Sequence, residues 1–103
     1  MITQYRQGDI LLVRIPHKRK PEGKKVGENK IVLARGEATG HTHSMSGEVA
    51  LFETDNSNSP MVWVVAPTPL EQQEHETILV SSGLYWIVHQ REYAPQEIRR
   101  VSD

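Results

Sequence analysis

The sharpest chemical signal in the chain is a pair of histidines within residues 36–43, GEATGHTH. His41 and His43 are two residues apart, and on an extended strand such residues point to the same face. Two imidazoles on one face can bind a single metal ion. Gly36 and Gly40 permit tight turning or close backbone approach beside them. The spacing therefore predicts a divalent metal site that uses His41 and His43.

Two imidazoles do not complete a metal site, so further ligands must come from other parts of the chain. The candidates carry an imidazole or a carboxylate: His75 first, with Glu74 and Glu76 beside it, then Glu48, Glu37 and His89. We expect His41, His43 and His75 to converge, with Glu48 or Glu74 as an oxygen ligand. Zinc, iron, manganese, nickel and copper accept such ligands, and the spacing does not choose among them. A metal ion with an open coordination position would suit catalysis on a small molecule, and one whose coordination positions are all filled by protein would suit a structural role.

A metal-free interaction module is the alternative interpretation. Here the histidines are hydrogen-bonded within a polar turn, and the basic loop over residues 17–25 or a sheet edge contacts a protein or nucleic-acid partner. The charge is nearly balanced, with 12 Lys and Arg against 13 Asp and Glu. This balance excludes a global basic field, so nucleic acid is not the expected partner. Exposed strand edges favour pairing into a homodimer.

Composition removes several classes of chemistry. The chain contains no cysteine, which excludes disulfides, thiolate zinc sites, iron–sulfur clusters and cysteine nucleophiles. It also lacks a nucleophile elbow, a phosphate-binding loop and a dinucleotide fingerprint. The first residues carry no apolar signal segment, and no apolar run approaches the roughly 20 residues that span a bilayer. We therefore expect a cytoplasmic protein without membrane association.

Short apolar segments separated by turn residues must position these groups. They predict strands over residues 9–15, 30–34, 47–53, 61–66, 77–80 and 84–90, and a short last strand over 98–101. Loops are expected over 17–28 and 54–60, and the best helical candidate is a single turn within 70–77. The pattern predicts one all-β domain over residues 1–103 with little helix. We expect a compact sandwich or partly open barrel of about seven or eight strands, with the metal at one mouth.

The segment from Gly36 through His41 and His43 to Glu48 resembles the first metal motif of the cupin superfamily. In that motif a glycine precedes a His-x-His pair and a glutamate follows. The resemblance implies a cupin-like barrel with His41, His43 and Glu48 as metal ligands. The spacing from glycine to histidine is one residue short, and Asp55 stands where a later glycine is expected.

A second resemblance extends over most of the chain. Its blocks are QGDILL at residues 7–12, GEATGHTH at 36–43, Glu74-His75 followed by Ile78, and GLY at 83–85 leading to QREY at 90–93. These are similar to a family of small uncharacterised bacterial and phage proteins with GE-x-TGH-x-H, HEEH and QREY blocks. Gln72 stands where the first histidine of the HEEH block is expected, so His75 carries more of any shared site. The resemblance implies no activity.

Overall fold

The computed structural model describes residues 4–16, 20–21, 23–35, 41–54 and 60–89, and these form strands joined by turns. This confirms the predicted all-β class. The strands are β1 (Gln4–Gln7), β2 (Ile10–Arg14), β3 (Lys24–Arg35), β4 (Thr42–Glu53), β5 (Met61–Val64), β6 (Thr68–Gln72), β7 (His75–Val80) and β8 (Gly83–His89). The described ranges contain no helical segment that could span a lipid bilayer.

The strands form one antiparallel sheet that curls into a nearly closed barrel. Its order is β1-β2-β8-β5-β4-β6-β7, with β3 paired to β4 off this path. The two end strands, β1 and β7, contact each other, and we call this contact the seam. The described residues contain no backbone ladder between β1 and β7. Side chains must therefore close the barrel there.

Strand β4 has three partners because its two halves lie in different parts of the barrel. Its first half pairs with β3 and β6, and its second half pairs with β3 and β5. Gly47 lies between the halves, where a Cβ would lie 3.0 Å from the Thr68 Cγ2. The missing side chain thus lets β6 approach at the bend. His43 and Glu48 fall on opposite sides of it.

The core follows the two-residue alternation of the strands. Ile10 and Leu12 of β2 and Tyr85 and Ile87 of β8 are fully buried. His43 lies two residues before the buried Met45 on β4, so it points inward among apolar side chains. A polar ring in this position needs hydrogen-bond partners.

Several local predictions differ from the structure, and the strand predicted over 47–53 already begins at Thr42. The helical turn within residues 70–77 is wrong, because Thr68 and Leu70 alternate inward on β6 and a two-residue turn leads into β7. The basic loop is shorter than predicted, since β3 already begins at Lys24. Strand β1 was not predicted, because its sequence QYRQ holds one apolar residue. The predicted strand over 98–101 lies outside the described residues.

The outer edge of β3 is irregular. Its pairing with β4 shifts register between Lys25 and Gly27, between Glu28 and Lys30, and between Val32 and Ala34. Asn29 has a positive φ of 67° at the second shift. Bulges of this kind disrupt an edge as a template for another strand. The sheet edge of the metal-free alternative is therefore a poor docking strand at β3.

Candidate functional site

The turn between β1 and β2 forms the base of the site. Gln7 and Ile10 are paired across this hairpin, which leaves Gly8 and Asp9 as its two central residues. Gly8 has a φ of +60°, as the first central residue of a type II′ turn requires. This tight connection holds the side chains of Gln7 and Asp9 at the same end of the barrel.

Gln7 is a buried side chain whose amide is fully used. It is 2% exposed, and its Nε2 donates to the carbonyl oxygens of Leu70 and Glu76, both at 2.9 Å. Carbonyl oxygens only accept, so the nitrogen of the amide must lie on that side. Its oxygen then faces the His43 Nδ1 at 2.9 Å. The His43 Nδ1 must therefore carry a proton and donate it to Gln7.

The second ring nitrogen of His43 faces a carboxylate. The His43 Nε2 lies 3.1 Å from the Asp9 Oδ1, and the two side chains are 3% and 43% exposed. With the proton on Nδ1, the neutral ring has a lone pair on Nε2. Two lone-pair atoms then face each other, and this contact is repulsive unless a proton or another cation lies between them.

The surroundings of His43 oppose the extra proton. Burial lowers the pKa of His43 below its ordinary value, and the charges of His75 and His89 act in the same direction. The hydrogen bond and the negative charge of Asp9 act the other way, yet the net direction is down. The neutral ring is thus favoured, and its Nε2 is available as a ligand.

Two more imidazoles lie at this end of the barrel. The His75 ring is nearly parallel to that of His43, at 12°, with their centroids 6.4 Å apart. A Cβ on Gly8 would lie 2.7 Å from the His75 Nε2 and 3.3 Å from the His43 Cε1, so only glycine lets the turn approach both rings. His89 pairs with Ile10, the residue after Asp9.

His41 does not share this position. It precedes the first residue of β4, so the strand alternation that would place it beside His43 does not reach it. Its Nδ1 lies 3.2 Å from the Glu74 Oε2, and these side chains are 37% and 50% exposed. His41 and Glu74 thus form a separate, half-exposed pair.

Glu48 is also separated from the histidines. It follows the Gly47 bend, five residues after His43, which is about 16 Å at the rise of a strand. Glu48 lines a cavity of about 210 Å³ together with Lys25, Asn29 and Trp63, and none of the histidines that the structure describes lines this cavity. Glu37 lies outside the described residues.

The predicted five ligands therefore occupy three places: His43 with His75, His41 with Glu74, and Glu48 apart. Among the ranges that the structure describes, no three or more His, Asp or Glu side chains are arranged to hold a metal ion. Asp9 and Gln7 were missed as site residues. A Gly-Asp turn between two strands was the available signal, but the polar sequence of β1 hid the first strand.

Comparison with known proteins gives a family without an assigned function. Residues 6–90 match the family described as Domain of unknown function (DUF8820). The match covers most of the chain, and the protein belongs to this family. No curated protein and no solved structure matches it. The resemblance to the cupin metal motif stays a prediction from sequence, and the QREY block lies outside the described residues.

Proposed function

We propose that this domain binds one divalent transition-metal ion at the β1–β2 turn. The primary ligands are the His43 Nε2 and the Asp9 Oδ1, and His75 and His89 are further imidazoles at the same end of the barrel. The observation that carries the proposal is the contact between these two ligand atoms at 3.1 Å, in a site where Gln7 has already placed the ring proton on the other nitrogen.

The spacing of the two atoms suits a shared ion. Ligands about 2.1 Å from a metal lie roughly 3.0 Å apart at a right angle and roughly 3.4 Å apart at a tetrahedral angle. The observed 3.1 Å lies between these values. A bound cation would replace the repulsion between the two lone pairs with two coordinate bonds. It would do so without protonating a ring that burial keeps neutral.

The remaining coordination positions would face the solvent side of the turn. Asp9 is 43% exposed, and His75 and His89 are both exposed. Either imidazole needs a movement to complete a three-residue set, because the described residues do not present one. Imidazole with carboxylate is a ligand set for zinc, iron, manganese or nickel, and it leaves room for water. The ion would join the β1–β2 turn to β4.

Calorimetric titration of chelator-treated protein with Zn²⁺, Mn²⁺, Fe²⁺ and Ni²⁺ tests the proposal. We expect one site per chain. At a metal concentration a hundredfold above the dissociation constant, the folded state gains about 2.7 kcal/mol, visible as a higher melting temperature. His43→Gln and Asp9→Asn should each abolish the heat of binding and the gain in stability.

His41→Gln and Glu48→Gln are the matched controls, because both residues were predicted as ligands, the His41 Nδ1 lies 3.2 Å from Glu74, and Glu48 lines a cavity elsewhere. They should bind metal like the original chain. Loss of binding in His41→Gln with normal binding in Asp9→Asn would contradict the proposal, as would the absence of binding for all four metals.

A further inference from the structure

We propose that Gln7 is a positioning residue that selects the tautomer of His43 and so decides which ring nitrogen can take a ligand. The inference rests in part on the proposed function, since the ligand concerned is the proposed metal. The selection of the tautomer itself is a property of the metal-free protein.

The selection follows from a one-way chain of hydrogen bonds. The carbonyls of Leu70 and Glu76 fix the direction of the Gln7 amide, because they accept and cannot donate. The Gln7 Oε1 can then only accept, which places the ring proton on the His43 Nδ1. Two backbone groups on β6 and β7 thus determine the chemistry of a side chain on β4.

Without Gln7 the opposite tautomer would be preferred. The Asp9 carboxylate would then be the strong acceptor at the ring, and it would draw the proton to the His43 Nε2 at 3.1 Å. That proton would occupy the ligand position. Gln7 therefore opposes Asp9, and this opposition leaves the nitrogen beside the carboxylate available. Partners that orient a ligating histidine commonly contribute 10–100-fold to metal affinity.

The test is the tautomer of His43 in metal-free protein, read from ¹⁵N chemical shifts and ring couplings at about pH 7.5. We expect the Nδ1–H form in the original chain and a shift towards the Nε2–H form in Gln7→Met, with zinc affinity lower by about 10–100-fold. Gln7→Glu keeps an acceptor opposite Nδ1, so it should retain the Nδ1–H form even where it costs stability.

Tyr5→Phe is the matched control, because Tyr5 lies on the same face of β1 and also contacts the far side of the seam. It should leave the tautomer unchanged. An Nε2–H or doubly protonated ring in the original chain overturns the inference, as does an unchanged tautomer in Gln7→Met. An Nδ1–H ring that switches in Gln7→Met, in a protein that binds no metal, supports the role of Gln7 and rejects the proposed function.

Discussion

Two side chains of β1, Tyr5 and Gln7, close the seam. The hydrogen bonds around the two side chains differ. Tyr5 and Gln7 are neighbours on the inward face of the strand. Tyr5 connects to Ser81, which follows β7, and Gln7 connects to the Glu76 carbonyl within β7. Both contacts replace the backbone ladder that the end strands lack. The network at Tyr5 pairs its polar atoms, whereas beside Gln7 the His43 Nε2 and the Asp9 Oδ1 face each other at 3.1 Å.

The contacts around Tyr5 form a complete network. The Ser81 N–H donates to the Tyr5 hydroxyl at 3.1 Å, and the Tyr85 hydroxyl donates to the Ser81 carbonyl at 2.8 Å. The Ser81 hydroxyl lies 3.0 Å from that of Tyr5 and 3.1 Å from that of Tyr85. Arg14 also donates to Tyr85, at 3.2 Å. With the Tyr85 proton used, Ser81 donates to Tyr85 and Tyr5 donates to Ser81, so every proton has one acceptor.

This difference distinguishes polar groups whose hydrogen bonds hold the fold together from polar groups that are open to a ligand. A part-buried network in which each hydroxyl proton has an acceptor stabilises the fold and leaves no atom for a ligand. At His43, assigning each proton to an acceptor in the same way leaves the Nε2 and the Asp9 Oδ1 facing each other. The Tyr5 end of the seam therefore accounts for stability, and the Gln7 end is where we propose that a ligand binds.

The largest effect on stability is expected from Gly8→Ala. The positive φ of +60° is unfavourable for alanine, and the new Cβ would lie 2.7 Å from the His75 Nε2. We expect a loss of about 2 kcal/mol in the free energy of unfolding, measured with denaturant, and a displaced His75 ring. Gly27→Ala is the control, because the nearest atom to its Cβ is 3.3 Å away on the Ile31 side chain. Equal losses of stability in both variants would show that the β1–β2 turn does not require glycine more than position 27 does.

A smaller loss, about 1–2 kcal/mol, is expected for Tyr5→Phe, because the Ser81 N–H and hydroxyl lose a partner. Metal affinity should not change, since Tyr5 is not bonded to His43. A drop in metal affinity as large as that of Asp9→Asn would show that the two ends of the seam are not separable.

The pH dependence distinguishes the two ends further. The folded-state pKa of His43 is lowered from the ordinary value of 6.5, so the unfolded chain binds more protons between the two values. In the metal-free protein, the contribution of His43 to the free energy of unfolding should be fully present above about pH 6.5 and should fall as the pH drops below it. The titratable groups whose charges act on His43 are Asp9, His75 and His89.

Denaturant unfolding at several pH values measures this slope, and His43→Gln should reduce it. Tyr5→Phe should leave it intact. A slope of the opposite sign would indicate a charged His43 paired with Asp9, and it would remove the need for a metal.

The smallest effect is expected for His41→Gln. The pair with Glu74 is half exposed, so its loss should cost less than about 0.5 kcal/mol. Denaturant unfolding of His41→Gln, measured alongside Asp9→Asn and the original chain, gives the comparison of free energies of unfolding. A loss well above about 1 kcal/mol, the upper end of the usual range for an exposed pair, would mean that His41 contributes more than its pair with Glu74.

The strand pattern was predictable where apolar residues alternate or run together, as in β2, β5 and β8. It failed at β1 and β6, where polar residues and prolines are held by the barrel rather than by local preference. His43 and His75 were predicted as partners and do lie near each other. The turn at Gly8 and Asp9 had a signal in the sequence, but the contact of Asp9 with His43 did not, because the approach of the β1–β2 turn to β4 depends on closure of the seam.

The most direct test of the account is the position of a zinc ion in crystals of the protein, located by anomalous diffraction at the zinc edge. We predict one peak at the β1–β2 turn, about 2.0–2.2 Å from both the His43 Nε2 and the Asp9 Oδ1. A peak between His41 and Glu74 with none at the turn, or no ordered zinc at all, would contradict it.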